Sequence, residues 1–555
     1  VTVPPPVIQS FTATPASLGT GQSATLTWDV VGATSLSLDQ GIGAVTGTSR
    51  GVTPGATTTY TLTASNVSGT VTATATVNVG PLPVISSFTA GPHDYVSSTS
   101  PSCNLSWSVS GATGLTIDHG VGTVTTGPVA VSPTATTLYT LTATNAYGSV
   151  TRAVKVTYLA LQSLDASTYA TEHCLFLIPT PGQVTWPDWN SVYLPANLDA
   201  YVARLNAAYP DDWFLVVVAA NNLTPNSVPN VITHRRPADG IGMGAIPVNA
   251  GPNICRYNMG GGTVIDGCFA VLDHEIGHCW GVFLGLEVGS GHWLANATSS
   301  GQLAASNFTP DYSTAMQIQG TTGSGFTWVG LDNLAKNETE TFSDHDLYSQ
   351  GLHPVFPDLY VLASPVFNGD HTVSHSGAIR YDHAWNLGKN GPRVPDYTTS
   401  EKQHRIATVY IARDLAEIQT VFMYVERSLA HFATAEAVDT THFRFQVPYL
   451  VDTKFRASVD ALLADLDGNA TPTLSLGSGY LTSSDGTATT SFTAADPDGP
   501  APTVSCVPAD PHVTVDAVGG TLQFSGLTSG THFFTFKAED ALGKKAFAHL
   551  VVDVN

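Results

Sequence analysis

The sequence predicts a multidomain chain in which one mixed α+β domain is flanked by all-β sandwiches. Three observations predict it. Thr- and Val-rich phrases recur at a fixed spacing in the N-terminal part, helical periodicity appears first near residue 198, and short alternating strands return after about residue 465. At roughly 150 residues per domain, 555 residues suggest about four domains, each long enough to bury its own core.

The repeat comes first in the chain. "VIQSFTATP" (7–15) returns as "VISSFTAGP" (84–92), and "TTYTLTASNVSGTVT" (58–72) returns as "TLYTLTATNAYGSVT" (137–151). Trp28 corresponds to Trp107 and Tyr60 to Tyr139, both at an offset of 79. Short alternating segments separated by Gly, Pro and Asn turns are the pattern of an antiparallel sandwich, so two tandem sandwiches are expected at 1–80 and 81–159. They resemble the bacterial immunoglobulin-like modules found in tandem on secreted and surface proteins. The Trp and Tyr pairs are expected to pack between the sheets rather than form a binding face.

The α+β domain is expected over 160–465. "LDAYVARLNAAY" (198–209) and "DLAEIQTVFMYVERSLAHFATA" (414–435) carry helical periodicity, and "WFLVVVAA" (213–220) reads as a buried strand. A further sandwich, similar to Ig-like or cadherin-like modules, is expected over 470–555. In it Asp496, Asp498 and Asp540 are candidate oxygen ligands for Ca²⁺, with acidic turns as the alternative reading.

The chemistry is concentrated in "VLDHEIGHCWGVFLGLEVGSGHW" (271–293). Four residues of helix advance about 400°, so His274 and His278 project from one face a turn apart, with Glu275 beside them. That spacing suits two imidazoles on one Zn²⁺, and a carboxylate placed there can accept a proton from a water activated at the metal. With 18 His and 10 Glu in the chain, a shuffled sequence would show the pattern only about 0.01 times. Zinc is the expected cofactor and Glu275 the expected general base and acid.

"HEIGHCWG" resembles the active-site helix of zincin metallopeptidases, and Gly281 matches the glycine of the metzincin pattern. The chain then departs from that pattern: Leu284 stands where a metzincin has its third histidine, and leucine cannot bind a metal. His292 in "GSGHW" is the first candidate for the third ligand; Glu287, Asp344, His345 and Asp346 are the alternatives. "TFSDHDLYSQGLHP" (341–354) and "NGPRVPDYTTSEKQHRIATVYI" (390–411) resemble segments of uncharacterised bacterial metallopeptidase-like proteins, a likeness that runs over about 270–430. Asp346 is then a ligand or an acceptor that orients an imidazole N–H, with a helix cap at "SDHD" as the other reading. Met316 is a candidate methionine turn of the metzincin kind, and Tyr312, Tyr348, His345 and His383 are candidate donors to an oxyanion.

A net charge of −22 would repel nucleic acid and anionic lipid, and no apolar run reaches the 18 or so residues of a membrane span. Few lysines, Thr-rich strands and six cysteines favour an extracellular protein. Cys255 and Cys268 flank a Gly-rich loop and are a candidate disulfide pair. The expectation is a secreted zinc endopeptidase acting on a protein or peptide, with sandwiches as spacers or as modules that bind a cell surface or polymer. The alternative is an adhesion or assembly protein whose zinc domain is structural.

Overall fold

The structure is a computed structural model that describes residues 3–186, 191–211, 213–220, 231–233, 253–258, 287–288, 292–293, 307–308, 315–321, 325–331, 342–390, 392–437, 439 and 448–555. The chain divides into two compact units, Val1–Tyr158 and Leu159–Asn555.

The first unit contains the two tandem sandwiches. In the first, a sheet of Val7–Thr14, Ala24–Val31 and Ser49–Val52 faces one built from Ser17–Gly19, Gly69–Gly80, Thr58–Asn66, Ser35–Leu38 and Gly43–Ala44. Alternation along the strands sends Leu26, Trp28, Tyr60, Leu62 and Val77 between the sheets. The second sandwich repeats this 79 residues on, around Leu105, Tyr139, Leu141 and Val156. The repeat extends to single hydrogen bonds. Asn66 Nδ2 donates to the Pro4 and Gly32 carbonyls, both at 2.8 Å; Asn145 Nδ2 donates to the Pro81 and Gly111 carbonyls at 2.9 and 3.0 Å. At the junction, the Tyr147 ring lies so close to Gly80 that an added Cβ would sit 2.4 Å from it, which only glycine permits.

In the second unit the central sheet is assembled from β1 (Gln162–Asp165), β2 (Thr168–Ala170), β3 (Cys174–Leu177), β4 (Leu215–Ala220), β5 (Val231–Thr233), β6 (Asn253–Asn258), β7 (Gln403–Ile411) and β8 (Ser458–Asp460). Their order is β1-β2-β3-β7-β4-β6-β5, with β8 also paired to β7. Strands β3, β7, β4 and β6 run parallel, and β5 is antiparallel to β6. Every residue of β4 is buried, as a strand covered on both faces requires. Helix α1 (Pro195–Ala208) starts with Pro at its first turn and buries Leu198, Tyr201 and Leu205 against this sheet.

Three short helices are α2 (Asp344–Gln350), α3 (His383–Asn390) and, beyond the long α4 (Leu415–Thr434), α5 (Tyr449–Asp452). The Asp414 side chain caps α4 by accepting the Glu417 N–H at 2.9 Å. Its buried stripe includes Ile418, Phe422, Val425, Leu429 and Phe432.

The C-terminal sandwich pairs a sheet of Thr473–Leu476, Ala488–Ala495, Thr521–Phe524 and Val513–Asp516 with one of Tyr480–Ser483, Lys545–Val554, Gly530–Glu539 and Thr503–Val507. It is bonded to the central region through polar contacts. Glu436 accepts from Lys537 and Lys545 at 2.8 and 2.6 Å, buried His549 lies 2.8 Å from both the Ser458 and Thr535 hydroxyls, and Asp553 accepts the Tyr397 and Tyr480 hydroxyls, each at 2.7 Å. Among the described residues no helix is long and apolar enough to cross a membrane.

Candidate functional site

His274, Glu275, His278, Tyr312 and Cys268 lie outside the described residues. The chain just beyond the motif is described in backbone. Glu287–Val288 and His292–Trp293 form an antiparallel pair, with Glu287 opposite Trp293 and Val288 opposite His292. Met316 lies in the extended strand Ala315–Thr321, opposite Gly330 and Asn307, and not in a tight turn.

The "SDHD" segment opens α2. Ser343 Oγ accepts the Asp346 N–H at 3.2 Å, and Asp346 Oδ2 accepts the Ser343 N–H and hydroxyl, each at 2.9 Å. This is a capping box, so the cap reading of Asp346 is realised, with its carboxylate fully buried. Asp344 is half-exposed and binds Lys454 Nζ at 2.8 Å. The helix ends at Gly351, whose φ of +75° terminates it in the left-handed region.

Three of the four oxyanion candidates lie near one another. His345 and Tyr348, on α2, meet Phe356 edge-on at centroid distances of 5.3 and 5.6 Å, and His383, opening α3, meets Tyr348 at 6.0 Å. Burial pushes His345 down to about 4, so its imidazole is neutral at physiological pH. His383 Nδ1 accepts the Phe356 N–H at 3.0 Å, which leaves the proton on Nε2. The Tyr348 oxygen accepts from Asn386 Nδ2 at 3.0 Å and from the Arg393 backbone, so its own proton is available for donation. Tyr348 and His383 line a cavity of about 310 Å³ bounded also by His353, Arg393, Asp396 and Tyr397.

A second cluster was not among the residues singled out from the sequence. Glu172, His173 and Glu426 bring one ligand atom each within 4.8 Å of one another, a spacing that a metal ion could bridge. Their bonds favour a different role. Glu426 Oε1 lies 2.6 Å from His173 Nδ1 and its Oε2 accepts the His173 N–H at 3.1 Å. Burial alone would lower His173, but the Glu426 carboxylate overrides this and raises it; burial likewise opposes the ionised Glu426, which His173 nonetheless holds below the usual carboxylate range. Glu172 accepts from Lys544 Nζ at 2.7 Å and from the Leu466 and Asp467 N–H groups. The resident cations are thus an imidazolium and an ammonium. The signal in the sequence was a glutamate on the buried stripe of a helix, at Glu426.

The calcium candidates lie near this cluster, in the C-terminal sandwich. Asp540 accepts from Asn469 Nδ2 at 2.7 Å and from the Leu542 and Lys544 N–H groups at 2.9 and 2.8 Å. Asp498 accepts the Ala470 N–H at 3.0 Å. Asp496 is raised, first by desolvation and then by Asp498 and Asp540. Asp540 thus holds its own turn, and Asp496 accepts the Asp498 N–H at 3.4 Å. Of the cysteines, Cys103, Cys174 and Cys506 are free; the Cys255–Cys268 pairing falls outside the described side chains.

No family model and no curated protein matches the chain. Solved structures similar to it include the I-band fragment I67–I69 from titin, 16% identical, covering 32% of this chain and 72% of that one at a TM-score of 0.18. Drosophila OTK extracellular domains 3–5 are 14% identical over 28% of this chain and 62% of that one, at 0.21. Titin domains Z1Z2, solved in complex with telethonin, are 15% identical over 29% and 99%, at 0.15. At these scores the sandwich architecture rests on the chain's own facing sheets.

Proposed function

We propose that the chain is a secreted zinc-dependent endopeptidase, and the observation that carries this reading is the His274-Glu275-x-x-His278 spacing. Two imidazoles and an adjacent carboxylate are the donor set of an open zinc site, whereas a structural site is closed and needs no neighbouring base. His274 and His278 would hold the ion, with His292 as third ligand; the antiparallel pairing of His292 with Val288 is consistent with that role. Bound there, zinc would polarise the scissile carbonyl and acidify a water. Glu275 takes that proton and delivers it to the leaving amine nitrogen. Tyr348, His345 and His383 remain donor candidates, and the sandwiches serve as spacers or as modules that recognise a surface or polymer. Asp496, Asp498 and Asp540 are proposed as a calcium site that supplements their turn bonds.

Metal content and cleavage of a denatured protein test this reading. The native chain is expected to carry one zinc and to cut, Glu275→Gln to keep zinc without cutting, and His292→Ala to lose zinc. A chain without zinc would sink the site. Zinc without turnover would favour the second reading, an adhesion or assembly protein with a structural metal, which the three sandwiches support by their share of the chain.

A further inference from the structure

The cavity beside α2 holds a buried cation with no ion-pair partner among the described residues. Arg393 is 6% exposed. Its Nε donates to the Ser349 carbonyl at 2.9 Å and its Nη1 to the Pro395 carbonyl. Among the described residues no carboxylate lies within ion-pair distance of it, and Nη2 has no hydrogen-bond partner. The guanidinium is held over Gly351, where even an added Cβ would come within 2.7 Å of its central carbon. Burial draws Arg393 down to about 10, which leaves it cationic at neutral pH. A buried cation served only by carbonyls is costly unless an anion completes it.

The lining adds donors rather than acceptors. Tyr348 offers its hydroxyl proton and His383 its Nε2–H, for the reasons given above. The one carboxylate on the wall, Asp396, is occupied by its own turn: its Oδ1 accepts the N–H and hydroxyl of both Thr398 and Thr399 at 2.8 to 3.1 Å. Leu387 and Val394 supply apolar surface beside these groups.

We propose that this cavity is a binding site for a carboxylate group, held by Arg393 with Tyr348 and His383 as further donors and with the ligand's apolar stem against Leu387 and Val394. A single cation, with an acid nearby, suits a singly charged anion, and a guanidinium N–H is well matched to a carboxylate oxygen. The carboxylate comes from a chain terminus or from an acidic side chain. Binding needs no hydrolysis, so the proposal stands apart from the zinc reading.

Calorimetric titration of the full chain at neutral pH tests it with three small probes: N-acetyl-alanine for a terminus, N-acetyl-glutamate α-amide for a side chain, and N-acetyl-alaninamide as the neutral control. At least one acid is expected to bind tenfold or more tightly than the control, and which one does identifies the source. Arg393→Gln should weaken that acid at least tenfold, and Tyr348→Phe and His383→Gln severalfold each, with the fold checked by circular dichroism. If Arg393→Gln does not fold, the other two variants decide. Equal binding of acids and control, no binding of either acid, or unchanged affinity in the folded variants would overturn the proposal.

Discussion

The N-terminal sandwiches and the C-terminal sandwich share an architecture but are stabilised differently. Within the first unit Ser97 is the one buried polar residue among those described, and no charged side chain is buried; the cores of these modules are apolar. The C-terminal sandwich shares a compact unit with the central sheet, and the seam between them is built from charge. Lys544 Nζ reaches Glu172, Asp465 and Asp467 at 2.7 to 2.9 Å and the Asn469 carbonyl at 2.7 Å. An apolar module can be repeated or moved without reference to its neighbour. A seam of buried ion pairs ties two regions into one cooperative structure, because each charge is tolerable only while its partner is in place.

The sharpest way to break this contrast is Lys544→Met. It leaves the Glu172, Asp465 and Asp467 carboxylates without the ammonium they share, and a cost of about 3 to 5 kcal/mol is expected for the second unit. Urea denaturation should show that unit unfolding early while the transition of the first unit stays in place. If both transitions are unmoved, the seam does not couple the regions.

Glu426→Gln is expected to cost somewhat less, about 3 kcal/mol, because the amide can still accept the His173 N–H. Its signature is the pH profile. Glu426 is depressed in the fold, so its contribution is present above the unfolded carboxylate value of about 4.3 and fades as the pH falls through the lower folded value. His173 is raised, so its contribution is full below the unfolded imidazole value of about 6.5 and fades as the pH rises through the higher folded value. The stability difference between the native chain and Glu426→Gln should therefore be largest between about pH 4.5 and 6.5 and shrink on either side. A flat difference would mean the pair is not ionised.

The same contrast explains what the sequence disclosed. Alternation and a repeat are local patterns, so the sandwiches, the buried strand 215–220 and the long helix, expected at 414–435 and found at Leu415–Thr434, were all readable. The His274-Glu275-x-x-His278 spacing is an equally local pattern, and its zinc reading is the proposal made above. Partners far apart along the chain leave no such trace. Glu172 and Lys544 are 372 residues apart and His173 and Glu426 are 253 apart; nothing near "TEHC" announces either partner. Tyr348, His345 and His383 were singled out by residue type alone, and it took folding to bring them to Phe356. Arg393, in "GPRVPD", has the look of an ordinary loop arginine until burial removes its solvent.

The smallest expected effect sharpens the comparison inside the first unit, where sequence equivalence stops short of energetic equivalence. Trp28 is 4% exposed and its Nε1 donates to the Gly47 carbonyl at 3.0 Å. Trp107, at the same place in the repeat, is only partly buried, has no corresponding indole bond, and packs its ring edge toward Gly127. Trp28→Phe loses a hydrogen bond and opens a void, at a cost of about 1 to 2 kcal/mol. Trp107→Phe loses surface that water already reaches, and should cost under about 1 kcal/mol. Denaturant midpoints of the two single variants measure the difference. Equal shifts would mean that the second sandwich depends on its tryptophan as fully as the first, so that the 79-residue repeat preserves energetics as well as shape.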